Sequence, residues 1–419
     1  MAAAPTAAPA PPKSFWDTVL TATPVALTVV ATILAGLSSG EMERAQYHRS
    51  LAAQDQSKTS DEWAYFQAKK YRATYSAGTA AQMQLQSSRQ PVTAAALTAL
   101  FDRLVDVLLS LDAWARQLVD GLKDMQRKYP DAKPGWTRLL DHAVSYRKGV
   151  WEHLEAVQAA KNNLARQLAE AEVSGALALL ASGELPAVGA ATAPDLMKDL
   201  AAINPRIPEA CAAIDNRRPK EELDPLCNRI SEKDLRAALD VVAEAAKRFD
   251  DAQEPVSQPL DRVGRLLEDT LAALAWAREE TSSLHREAGI TTAKSEDGTQ
   301  TNVADRTREL ADESAAAERR AADFGAARLR YNARRYNYEA RTNQVSAWLH
   351  EIQVEKSSLT SERHRYRSSL FFFGMLAAQA GVTVATIALA LRRRSILWAL
   401  AALVGLSAVA LGGYVYLFI

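Results

Sequence analysis

The chain has 419 residues, and its 50 lysines and arginines equal its 50 aspartates and glutamates, so the formal net charge is zero. A zero net charge removes the simplest argument for bulk electrostatic binding to nucleic acid or anionic lipid. Two cysteines exclude a disulfide-rich scaffold or a four-cysteine zinc site. Abundant alanine with few glycines and prolines favours an all-α fold over a β-sandwich.

The N-terminal region begins with an alanine- and proline-rich segment, 1–15, which we predict to be a disordered tail. Residues 16–38 hold one charge, Asp17, and as a helix would extend about 34 Å, enough to cross a hydrocarbon core of about 30 Å. A cleaved signal peptide is the alternative interpretation. The long apolar stretch, and the lack of a convincing cleavage site after it, favour a retained transmembrane helix.

Two further apolar segments, 368–391 and 395–419, carry no charge and are predicted to span the membrane as a hairpin. Only the turn Arg392, Arg393 and Arg394 separates them. Small residues share one face of each predicted span, which favours close packing of the three spans. These residues are Thr21, Thr28 and Thr32; Gly374, Ala378, Gly381, Ala385 and Ala388; and Ala401, Gly405, Ala408 and Gly412.

Between the spans we predict two long stalk helices, an ascending one over 39–90 and a descending one over 301–367. In the descending helix every seventh residue from Val303 to Tyr366 is apolar or aromatic, which is typical of a coiled-coil seam. The second seam position is more polar, so a partner helix must complete the seam. An antiparallel pairing with the ascending helix would place Trp63 and Phe66 near 338–345.

A nine-residue segment, DEWAYFQAK at 61–69, follows the first span by about 22 residues. With the C-terminal hairpin, it resembles an uncharacterised bacterial family of three-span membrane proteins that is known as a domain of unknown function. That family has the pattern Asp-x-Trp-x-x-Tyr-Gln-Ala-Lys, from which Phe66 departs, and a glutamine in the first span of the hairpin. The matching residues here are Asp61, Trp63, Gln67, Ala68, Lys69 and Gln379.

The resemblance covers roughly 40–90 and 325–419, and it implies a membrane location and a coiled coil but no activity. Gln379 is the one strongly polar side chain in the middle of a span. A lone glutamine more often hydrogen-bonds a neighbouring helix than lines a transport path, since a pore would be expected to show a more polar lining.

Residues 91–300 form the inserted head, which we predict to be a four-helix bundle on the stalk tip because the segment reads as successive amphipathic helices. Ser231 and Asp234 have the spacing of a capping box that opens one of them. A proline-rich loop precedes that helix, and Pro255 and Pro259 are expected to introduce the next one. The predicted helices are 91–128, 135–182, a short one at 194–203, 231–253 and 260–287.

Both cysteines, Cys211 and Cys227, fall in the predicted loop before the capping box. A disulfide between them would close a loop of about 17 residues and could contribute about 3 kcal/mol. Two unpaired thiols are the alternative, and the choice depends on the side of the membrane, because disulfides persist in oxidising compartments. The short arginine turn at 392–394 favours a periplasmic or extracellular head, with a cytoplasmic head as the alternative.

Several sequence motifs of catalysis are absent: the chain has no P-loop, Rossmann fingerprint, HExxH or CxxC motif. We therefore predict no enzymatic activity, no cofactor and no metal site. The run RLRYNARRYNYEAR at 328–341 could bind phosphate or stack on bases. Pairing of its arginines within the stalk is the favoured interpretation, so nucleic acid is not an expected partner.

These features together predict a multi-pass protein of the bacterial inner membrane with three transmembrane helices, an antiparallel coiled-coil stalk and a helical-bundle head. The expected role is a structural scaffold or binding platform. Its expected partners are membrane lipid and either further copies of the chain or another membrane or envelope protein. A sensor or regulatory subunit is one alternative, and a channel or transport component is the other.

Overall fold

A computed structural model describes residues 15–128, 134–186, 193–292, 299–391 and 396–419. Throughout these ranges the chain is helical, with ten helices and no strand, so the all-α prediction is confirmed. The predicted tail up to residue 14 and the turn at Arg392–Arg394 lie outside these ranges. The helices are α1 Phe15–Gln86, α2 Ala94–Lys128, α3 Pro134–Leu168, α4 Ala171–Ser182, α5 Ala193–Ile203, α6 Arg206–Asp215, α7 Lys220–Asn228, α8 Glu232–Thr292, α9 Thr299–Ala390 and α10 Ile396–Phe418.

Three helices of the described chain, α1, α9 and α10, are long and apolar enough to cross a membrane. This agrees with the three predicted spans. The apolar part of α1 continues into its polar part without interruption, and the polar part of α9 continues into the second span in the same way. Each of these two helices therefore joins a segment that is apolar enough to cross a membrane to a long polar segment.

The chain divides into two compact units. Unit 1 contains the described residues up to Glu62, together with Leu200–Leu239 and Val345–Ile419. Unit 2 contains Trp63–Asp199 and Asp240–Gln344. Residues 200–239, which lie within the predicted 91–300 head, belong to unit 1.

Polar contacts to α9 explain why α6 and α7 belong to unit 1. The ammonium group of Lys356 donates a 2.6 Å hydrogen bond to the carbonyl oxygen of Ile230. The ammonium group of Lys220 lies 3.2 Å from a carboxylate oxygen of Glu355. These contacts could not be expected from sequence, because the paired residues are more than 100 positions apart and share no pattern.

In unit 2 the core is built from α2, α3, α4, α8 and α9, and the amphipathic helix predicted over 91–128 buries its apolar side in it. The heptad residues of α9 in this unit, Leu310, Ala317, Phe324 and Tyr331, belong to the same core. The half-apolar seam is therefore covered here by several helices rather than by α1 alone.

Two regions of helix differ from the prediction. The helix predicted over 135–182 is divided at Glu170, whose backbone is extended (φ −73°, ψ 129°), although no proline or glycine marks the position. Pro255 and Pro259, by contrast, lie inside one continuous helix, α8. Each internal proline costs about 3 kcal/mol. The buried side chains of Val256, Leu260 and Val263, at about 1.5–3 kcal/mol each, offset that cost.

The proline-rich loop predicted before Ser231 consists largely of two short helices, α6 and α7. Pro208 occupies the first turn of α6, where a backbone N–H has no helical partner to lose. Pro219 directly precedes α7 and is extended, so it starts that helix rather than preventing it. The capping box is confirmed: the backbone N–H of Asp234 donates to the Ser231 hydroxyl at 3.0 Å, and the Ser231 N–H donates to the Asp234 carboxylate at 3.3 Å.

Candidate functional site

The membrane-spanning part of unit 1 is packed around two leucines of α1. Leu34 lies between Gly374 of α9 and Gly412 of α10, and Leu27 lies in the same way against glycines of both helices. A methyl group added at Gly412 would lie 2.7 Å from Leu34 Cδ2, closer than real side chains approach. The predicted small-residue faces of α9 and α10 therefore do form the contact between the spans.

The threonine face predicted on the first span is not part of this contact. Thr28 and Thr32 are exposed, and each hydroxyl donates to the carbonyl oxygen four residues earlier in its own helix, at 2.8 and 2.9 Å. The buried face consists of Leu27, Ala31 and Leu34 instead. The glycine-lined faces of α9 and α10 leave a groove between them. A leucine side chain is long enough to fill this groove, and a threonine side chain is not.

At the end of the first span, α1 and α9 are joined by reciprocal hydrogen bonds. The Ser38 hydroxyl donates to the Ser368 carbonyl at 3.0 Å, and the Ser368 hydroxyl donates to the Ser38 carbonyl at 2.8 Å. Further along, the Ser361 hydroxyl donates to the carbonyl oxygen of Ala45 at 2.7 Å. The two helices therefore run antiparallel in unit 1.

A pair of histidines lies beside these serine contacts. The rings of His48 and His364 stack with centroids 5.6 Å apart and an angle of 9° between their planes. His364 Nδ1 lies 2.6 Å from a carboxylate oxygen of Glu41. Burial and, after it, the neighbouring His364 lower the pKa of His48, although the charge of Glu232 opposes the shift. His48 is therefore less readily protonated than a free histidine.

In unit 2 the residues of the family-like segment meet α9. The ammonium group of Lys69 pairs with the buried carboxylate of Glu339 and lies 5.6 Å from the centroid of the Tyr336 ring. Arg335 Nε donates a second hydrogen bond to Glu339 at 2.7 Å. Burial and the Glu339 carboxylate raise the pKa of Asp250, opposed by Arg335 and Lys69. We call Lys69, Asp250, Arg335 and Glu339 the charged cluster.

Of the other family-like residues, none enters the charged cluster. Trp63 and Phe66 contact each other edge to face at 5.4 Å, whereas Asp61, Gln67 and Ala68 are exposed. Lys70 donates to Asn337 at 3.1 Å, and with the Lys69 pair this gives α1 and α9 an antiparallel register in unit 2. A direct contact of Trp63 or Phe66 with 338–345 stays a prediction.

Cys211 and Cys227 lie on α6 and α7 rather than in a loop, and both are buried free thiols. Burial is the main cause that raises the pKa of Cys211 to about 12 and that of Cys227 to about 12. Such thiols are almost entirely protonated at neutral pH and react slowly. The disulfide stays a prediction that depends on the compartment.

The arginine- and tyrosine-rich run at 328–341 makes most of its polar contacts inside unit 2. Arg328 pairs with Asp261 of α8, and Arg334 donates to the carbonyl oxygen of Gly183. The Tyr331 hydroxyl donates to the Gln253 side chain at 2.8 Å. The run therefore pairs within the protein, as the favoured interpretation expected, although its acidic partner on a second helix belongs to α8 instead of the ascending stalk helix.

Among the residues that the structure describes, no group of three or more histidine, cysteine, aspartate or glutamate side chains is arranged to hold a metal ion.

A family model described as a domain of unknown function (DUF4337) matches residues 16–114. This segment is similar to that uncharacterised family. The match begins in the first span and includes the family-like segment at 61–69, so the predicted resemblance to such a family is confirmed. It also extends into α2, where we expected a foreign insertion to begin. No curated protein and no solved structure matches the chain.

Proposed function

We propose that this protein is a non-enzymatic scaffold or binding platform anchored in the bacterial inner membrane. The observation that carries the proposal is the continuity of α1 and α9 from a membrane-spanning segment into a long polar segment. An unbroken α-helix rises 1.5 Å per residue, so the part of α1 beyond the first span is roughly 70 Å long. Such a helix suits a spacer between a bilayer and whatever the protein binds.

In the proposal, the two polar segments act as an antiparallel coiled-coil stalk. The heptad positions in unit 1 support this, because Val345 and Ile352 are buried there. The polar contacts between α1 and α9 described for each unit are consistent with antiparallel helices. Unit 2 has the extensive apolar core that a helical-bundle head requires.

We place the head on the periplasmic side, because the three arginines at 392–394 would then lie in a short cytoplasmic loop. The native thiols are poor reporters of this orientation, since both are buried. Tyr71, whose side chain is 73% exposed, offers a better position. A membrane-impermeant maleimide should label Tyr71→Cys in intact cells, and the unsubstituted chain should remain unlabelled as the control. Labelling only after lysis would place the head in the cytoplasm.

Membrane anchoring is tested by extraction at alkaline pH. The full chain should stay in the membrane pellet and dissolve only in detergent, whereas release without detergent would refute the anchor. The platform role is tested by sizing the detergent-solubilised protein. A particle larger than one chain, or one with a co-purifying partner, is expected; a lone monomer would count heavily against the platform.

A further inference from the structure

The membrane-spanning part of α9 has two opposite faces. One face is buried against α1 and α10 and consists mainly of small residues. The other face is exposed along its whole length, and its residues are spaced alternately by four and three positions, which is the spacing of a coiled-coil seam. We call it the outer seam, and it consists of Phe372, Leu376, Gln379, Thr383, Thr386 and Ala390.

Gln379 lies at the centre of the outer seam and near the middle of the span. Its side chain is exposed, and within the described part of the chain its carboxamide has no hydrogen-bond partner. The sequence suggested a bond to a neighbouring helix, and within this chain α1 and α10 pack on the opposite face of α9. In hydrocarbon, a carboxamide without a partner is costly, because no water replaces the missing hydrogen bonds.

The other polar residues of the outer seam need no external partner. The hydroxyl of Thr383 donates to the carbonyl oxygen of Gln379 at 3.1 Å, and the hydroxyl of Thr386 donates to that of Val382 at 2.8 Å. These side chains are also small, as is Ala390, so a second helix could approach this half of the seam closely. Gln379 is therefore the polar residue of the outer seam whose side chain still needs a hydrogen-bond partner.

We propose that the outer seam binds the same seam of a second copy of this chain, so that the two Gln379 carboxamides hydrogen-bond across a twofold axis. A carboxamide is self-complementary, because it both donates and accepts. Every copy inserted in the same orientation carries Gln379 at the same depth, which a symmetric contact requires. This inference rests on the proposed membrane anchor, and it specifies the oligomer that the scaffold would form.

Cysteine crosslinking of the full chain in membranes tests the geometry. With Cys211 and Cys227 replaced by alanine, Thr383→Cys or Thr386→Cys should yield a crosslinked homodimer on mild oxidation. The matched control is Leu403→Cys on α10, which is also exposed in the span but lies off the seam. A homodimer from the α10 position alone, or from none of the three, would overturn the proposal.

Substitution of Gln379 tests how much its hydrogen bond stabilises the dimer. Gln379→Leu should weaken dimerisation in detergent about three- to tenfold, the range expected for hydrogen bonds between membrane helices. Gln379→Asn should retain part of the effect. Ser407→Ala should have none, because that exposed hydroxyl is already bonded to Leu403 of its own helix at 2.9 Å. An unchanged dimer in Gln379→Leu would refute the role of the glutamine.

The two hypotheses fail in different ways. If alkaline extraction releases the protein, the proposed membrane anchor is wrong, and the proposed seam contact is then wrong as well. If the protein stays in the membrane but is monomeric and gives no crosslink at Thr383 or Thr386, the anchor stands and the seam contact is wrong.

Discussion

In unit 2 the buried core contains large side chains such as Phe101, Tyr146 and Tyr331, whereas the contact between the spans in unit 1 is lined by alanines and glycines such as Ala378 and Gly405. The difference follows from the surroundings. In water, burying a large apolar side chain contributes about 1.5–3 kcal/mol. In a bilayer, lipid chains are as apolar as leucine, so close approach of the helices must supply the attraction.

The largest effect is expected in unit 2, where the free energy of unfolding depends on the volume of the buried side chains. Leu108 is fully buried, so Leu108→Ala should lower the free energy of unfolding by about 2–5 kcal/mol through the cavity it leaves. Leu109 is 44% exposed, so Leu109→Ala should change it by less than about 0.5 kcal/mol. Chemical denaturation in detergent, followed by circular dichroism, measures both. Equal losses would show that unit 2 has no such core.

The next effect tests the close packing of unit 1. Gly412→Ala should destabilise the spans by about 1–3 kcal/mol, because Leu34 is held between Gly374 and Gly412 and cannot move away. Gly413 is the control, since a methyl group there would have no atom within 4 Å. Thermal unfolding in detergent compares the two. A Gly413→Ala variant as unstable as Gly412→Ala would contradict the arrangement of the spans.

The charged cluster should give an intermediate effect in unit 2. Lys69→Met removes one of the two cations beside the buried Glu339 carboxylate, and we expect a loss of about 1–2 kcal/mol. Lys70 is exposed and its ammonium group donates to the uncharged amide of Asn337, so Lys70→Met should be neutral within about 0.5 kcal/mol. The two variants are compared by chemical denaturation, and a neutral Lys69→Met would show that Arg335 suffices.

The smallest effect is a pH dependence of unit 2. Both ring nitrogens of His142 face carboxylates, Glu287 at 2.8 Å and Glu280 at 3.1 Å. Burial lowers the pKa of His142, but the hydrogen bonds and charges of the two glutamates outweigh it, so the net shift is upward. This ion pairing should contribute up to about 1 kcal/mol. That contribution is present below the unfolded pKa of about 6.5 and is lost as the pH rises through the raised folded value.

Denaturation midpoints measured from pH 5.5 to 8.5 check this prediction. The His142→Gln variant should lose the pH-dependent part of the stability while keeping most of the packing. A variant whose pH profile is the same as that of the unsubstituted chain would show that another group is responsible.

Local patterns in the sequence were enough to predict the segments that are either uniformly apolar or regularly amphipathic. Spans need about 20 apolar residues, and that requirement is visible without a structure. The continuous helix through Pro255 and Pro259 was missed because the outcome depends on burial of the side chains around them. The division at Glu170 was missed because no local residue type marks it.

The sequence by itself determined the all-α fold, the three apolar spans, the small-residue faces of α9 and α10, and the Ser231 capping box. These properties depend on residue type at a helical period. Only the tertiary structure decided that residues 200–239 belong to unit 1, that Lys69 pairs with Glu339, and that Gln379 lies opposite the face that packs against α1 and α10. Each of these depends on which faces of distant helices meet, and no periodicity within a single helix specifies its neighbour.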